Sequence, residues 1–90
     1  MGTEEEVRRV LEAIDAETEG KPPAERVRLR NAVAEAAAAE RRRRNQEDVR
    51  EMHESGMTYR EIASAIGVSF GRVRQILTEE LDDEGNLKSE

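Results

Sequence analysis

Apolar side chains recur at helical spacing in three stretches of this chain, and glycine and proline stand between the first two. Val7, Val10, Leu11 and Ile14 fall at i, i+3, i+4 and i+7, which predicts an amphipathic helix over residues 4–18 with Thr3 as its N-cap. Glu4, Glu5 and Glu6 occupy its first turn, where the helix dipole favours negative charge. Gly20 and the Pro22-Pro23 pair then end the segment and reverse the chain. From Pro23 to about Glu54 no glycine or proline intervenes and strong helix formers dominate, so one long helix, or two with a bend near Asn45, is expected. Its first half offers Val27, Leu29, Val33 and alanines at 34 and 36–39, against which the first helix folds back as an antiparallel hairpin. Val49 and Met52 of the second half are expected to cap the C-terminal unit.

That unit reads as a compact wedge. Between residues 58 and 77, Ile62, Ala63, Ile66, Gly67, Val68, Val73 and Ile76 have the spacing that two short helices need when they cross through a tight turn. Thr58 and Glu61 form a T-x-x-E capping box for the first, and Ser69 caps the second. Gly67 fits the turn, where positive φ costs glycine almost nothing. Val68 is expected between the helices, and Val73, Ile76 and Leu77 form the inward stripe of the second helix. The chain therefore reads as all-α: a helical hairpin over 1–45 that is the expected dimerisation region, a helix-turn-helix unit over 46–81, and a flexible acidic tail over 82–90.

Composition supports an extended or oligomeric shape. Charged residues make up 40% of the chain and aromatics only 2%, which leaves little for a thick core. The net charge of −6 argues at first against a nucleic-acid partner, but it is unevenly spread. Residues 1–20 carry two basic and seven acidic side chains, residues 79–90 carry one and six, and residues 21–78 carry twelve and eight. The segment holding the paired helices is thus basic, and charges beyond a Debye length of about 8 Å at physiological salt affect it little. Cysteine is absent, and His53 is the only histidine, so neither disulfide nor metal site is expected and no cofactor is implied. No apolar run approaches a membrane span, and the polar, acidic N-terminus is unlike a secretory signal, so the expected location is the cytoplasm.

Met57-Thr58, Glu61-Ile62-Ala63, Gly67-Val68-Ser69 and Arg72-Val73-Arg74-Gln75-Ile76 together resemble the helix-turn-helix of the fourth conserved region of bacterial sigma factors. The resemblance covers about residues 46–80. It implies that the second helix lies in a DNA major groove and that the positions of Arg74 and Gln75 face DNA. Where the family carries polar residues after the N-cap serine, this chain has Phe70 and Gly71. It also lacks room for the other sigma regions, so the reading is a sigma-like module and not a sigma factor.

Subtracting the apolar positions leaves Arg72, Arg74 and Gln75 projecting from the second helix as candidate base readers, with a phosphate contact as the alternative for Arg72. Arginine can pair bidentately with guanine and glutamine with adenine. Ser69, at a helix N-terminus, is a candidate phosphate contact. Tyr59 and Arg60 are candidate phosphate contacts too, with core sealing as the alternative for Tyr59. Phe70 either meets thymine methyls, wedges against the sugar edge or packs on its own protein, and Gly71 reflects either close approach to DNA or tolerance. Of the arginines at 41–44, Arg43 and Arg44 are taken as phosphate contacts, with a solvated collar paired to Glu40, Glu47 and Asp48 as the alternative. The expected function is a small homodimeric transcriptional regulator that binds double-stranded DNA through helix 69–78 and has no enzymatic activity. The alternatives are an adaptor that binds RNA polymerase or another regulator, and an accessory factor in DNA segregation or recombination.

Overall fold

The computed structural model describes residues 2–88 and holds four helices among them: α1 (Thr3–Thr18), α2 (Pro23–Glu54), α3 (Tyr59–Ile66) and α4 (Phe70–Thr78). The all-α expectation holds, with a helical hairpin leading into a C-terminal helix-turn-helix. The long helix is continuous through Asn45. By compactness the chain divides into Met1–Ala36 and Ala37–Glu90, and α2 contributes to both units.

In the first unit, Gly2 rather than Thr3 occupies the N-cap of α1 and makes no side-chain cap bond. Thr3 already has helical geometry, so its hydroxyl cannot serve as the cap. At the other end, Thr18 is buried and its hydroxyl donates to the Asp15 carbonyl at 2.8 Å. Gly20 takes φ 79°, which turns the chain towards Pro22. Ile14, Leu29 and Val33 are half-buried, whereas Val7, Val10, Leu11 and Val27 remain exposed. The hairpin therefore covers only part of its own apolar stripe.

The second unit has the denser core. Val49, Ile62, Ala63, Val73 and Ile76 are buried together, with Met52, Met57, Tyr59 and Leu77 packed around them. Three members of the expected wedge are missing from it: Gly67 serves the turn, and Ile66 and Val68 stay 39% and 36% exposed. Ile62 and Ala63 are a turn earlier on α3, and they fill the space against α4. Ile66 and Val68 instead line an open groove of about 540 Å³ with Val49, Met52 and Ile76.

The expected flexible tail is also different. Leu81 and Leu87 form an antiparallel bridge, and the Asp82 carboxylate accepts from the Glu84 and Asn86 amides at 2.9 and 3.0 Å. Those bonds hold the Asp82 carboxyl below the usual carboxylate range, the Asn86 amide contributing most. Gly85, at φ 95°, is buried, and its carbonyl accepts from Arg42 Nε at 3.0 Å. A Cβ there would collide with the Ala39 carbonyl oxygen, so the close approach requires glycine. This docking explains why residues 37–45 of α2 belong with the helix-turn-helix unit. Residues 89 and 90 lie outside the described residues.

Candidate nucleic-acid interface

Thr58 starts α3 with a complete capping box. Its hydroxyl accepts from Glu61 N at 3.1 Å, and its own N–H donates to Glu61 Oε1 at 3.0 Å. The bond from the Thr58 backbone lowers the Glu61 pKa, and the Thr58 hydroxyl adds to the effect. At the C-cap Gly67 adopts φ 74°, ψ 35°, and Val68 N–H closes back on the Ala63 carbonyl at 3.0 Å. Ser69 then caps α4 by accepting from Arg72 N at 3.1 Å. Val73 and Ile76 seat α4 in the core.

Gln46 completes the support, a role that sequence reading missed. The residue is buried on α2, and its Nε2 donates to the Ile76 carbonyl at 3.0 Å and the Glu79 carbonyl at 2.7 Å. Two carbonyls at the end of α4 thereby gain partners that no further helical turn supplies. A polar residue three positions before Val49 on one helix face was the available signal.

The expected base readers separate into two groups. Arg72 turns along its own helix, donating to Gln75 Oε1 at 3.0 Å and pairing with Glu79 at 3.3 Å. Bidentate adenine recognition by Gln75 uses the amide oxygen as well as the nitrogen, and Arg72 takes one of the two acceptor sites of that oxygen and so fixes the amide's orientation. Arg74 is exposed, and among the described residues its side chain makes no ion pair or hydrogen bond. Thr78, one turn later, spends its hydroxyl on the Arg74 and Gln75 carbonyls.

At the leading end of α4, aromatic rings form a short stack. Tyr59 is half-buried, with the His53 ring at 4.9 Å and the Phe70 ring at 5.8 Å between centroids. The Arg60 guanidinium stands 6.0 Å from the Phe70 centroid. Phe70 thus packs on its own protein while remaining 46% exposed. A Cβ at Gly71 would find only Ser69 Oγ, at 4.0 Å, so the adjacent surface is open.

Arg43 and Arg44 adopt the collar arrangement. Arg43 pairs with Glu40 at 2.8 Å and Glu47 at 3.4 Å, and Arg44 pairs with Glu40 at 2.9 Å. Hydrogen bonds from Arg44 and Arg43 lower the Glu40 pKa, and the same contact with Glu40 raises that of Arg44. No group of three or more metal-ligating side chains gathers among the described residues, and no described helix is long and apolar enough to cross a membrane.

Two short capped helices crossing at a left-handed glycine, with one helix exposed along its outer face, define a helix-turn-helix DNA-binding domain. Residues 33–83 match a family of helix-turn-helix domains, and the chain belongs to that family. No curated protein and no solved structure matches the chain.

Proposed function

We propose that this protein is a sequence-specific DNA-binding regulator that inserts α4 into the major groove as a homodimer in the cytoplasm, without catalytic activity. The observation that carries this reading is Arg74. It stands unpaired among the described residues on a helix whose opposite face is locked by Val73, Ile76 and Gln46. An exposed guanidinium on a rigid helix can address guanine O6 and N7 bidentately. The likeness of residues 57–76 to the sigma region supports the same docking. Ser69, Tyr59 and Arg60 border the N-terminal end of α4 and suit backbone contacts. Arg43 and Arg44 would reach phosphate only by exchanging their carboxylate partners, and they serve as general electrostatic contacts in this scheme.

In-vitro selection of bound oligonucleotides tests the proposal. A two-fold symmetric site is expected. Arg74→Ala should lose about 1–3 kcal/mol of discrimination at one base position, whereas Arg43→Ala should weaken all sequences alike. Equal, sequence-independent weakening by both substitutions would refute the division.

A second reading, an adaptor that binds RNA polymerase or another regulator, is favoured by the groove beneath Ile66 and Val68. Salt titration separates the two. Phosphate neutralisation gives a steep fall of log K with log salt, and a pure adaptor shows no DNA binding to titrate.

A further inference from the structure

If α4 enters the major groove as proposed, the leading end of the helix specifies more than Arg74 alone. We infer that Phe70 reads the 5-methyl group of a pyrimidine while Arg74 reads a guanine in a neighbouring base pair. The methyl is the one apolar group that a pyrimidine presents in the major groove, and an aromatic ring can recognise it without a hydrogen bond.

Three features converge on this assignment. First, Phe70 is held in place before any ligand arrives. Tyr59 backs it at 5.8 Å, His53 backs Tyr59 at 4.9 Å, and Arg60 stands 6.0 Å from its centroid. Yet the ring remains 46% exposed, so the stack orients it without covering it. Preorganisation of this kind lowers the entropy lost on contact.

Second, Gly71 has no internal explanation. It is the second residue of α4, its φ is not in the left-handed region, and a side chain there would meet open space. Glycine is a poorer helix former than alanine, and nothing in the fold rewards its presence. Beside an exposed ring, a bare backbone lets the helix approach the groove edge closely enough for the ring to touch a methyl.

Third, Phe70 and Arg74 lie one turn apart on the same flank of α4, about 6 Å along its axis. Arg72 is held by Gln75 and Glu79, so on this flank the ring and the guanidinium of Arg74, unpaired among the described residues, stand together.

The test uses the full chain and its selected site. Each thymine is replaced singly by deoxyuridine, which removes only the methyl. Wild type should lose about fourfold in affinity at one position, equivalent to one buried methyl group. Phe70→Ala should be insensitive at that position, Phe70→Leu should retain part of the effect, and Arg74→Ala should relax preference at the neighbouring guanine. Where selection places cytosine there, 5-methylcytosine should raise wild-type affinity by a similar factor, which distinguishes the two sources of the methyl. Gly71→Ala should raise the thermal midpoint while weakening binding. A wild type indifferent to every methyl, or wild type and Phe70→Ala responding alike, overturns the inference while leaving α4 as a DNA reader. Failure to select any site overturns both.

Discussion

At Gly67 the chain leaves α3 with φ 74° and ψ 35°, and nothing lies within 4 Å of where a Cβ would stand. Any cost of a side chain there is therefore conformational. Gly67→Ala should destabilise the domain by about 1–2 kcal/mol, read as a lower urea midpoint. An unchanged midpoint would show that the turn relaxes to another geometry. Gln46 presents the opposite case, since its value is entirely in its partners. Gln46→Leu keeps similar bulk but leaves the Ile76 and Glu79 carbonyls without the amide, at a cost of about 1–3 kcal/mol in the same assay. Stability equal to wild type would mean that water replaces the amide. Gly67 was legible from the sequence because a turn demands its backbone freedom. Gln46 was not, because its partners are 30 and 33 residues away.

Among the elements, α3 owes its start to a charged group. Folding lowers the Glu61 pKa, so the stability it contributes is complete above its ordinary value of about 4.5 and is lost as pH falls through the lower folded value. Glu61→Gln, which preserves the donor-acceptor pattern of the box without a titrating carboxyl, should flatten the loss of stability as pH falls below about 4.5. Parallel pH profiles for the two proteins would assign the acid dependence elsewhere. The turn over 81–88 depends on shape instead. Gly85→Ala should detach it from Ala39 and Arg42, seen as faster amide exchange at Asp82, Gly85 and Lys88, whose N–H groups close the turn. Exchange rates unchanged from wild type would contradict the glycine requirement. Helical periodicity located α1, α3 and α4 almost to the residue. The tail eluded it because its order comes from Asp82 bonds and one glycine contact, not from apolar repetition.

On the scale of the molecule, the exposed Val7, Val10 and Leu11 of α1 bear on assembly. If the hairpin supplies the proposed dimer contact, Leu11→Glu should shift sedimentation towards the monomer and weaken binding to a two-half-site operator more than to a single half-site. A wild type that sediments as a monomer would remove the dimer from the scheme. The sequence by itself determined the helices, the caps of α3 and α4 and the glycine turn, because each depends on neighbours within a few residues. It also separated a basic middle from acidic ends. Tertiary structure alone decided which apolar residues the core would take, leaving Ile66 and Val68 on a groove. The pairs of Arg72 with Gln75 and of Arg43 and Arg44 with Glu40 are contacts within single helices at i,i+3 and i,i+4 spacing, whereas tertiary structure brought Gln46 to the Ile76 and Glu79 carbonyls. Those tertiary outcomes rest on competition for space and partners at a crossing of helices, which no local pattern encodes.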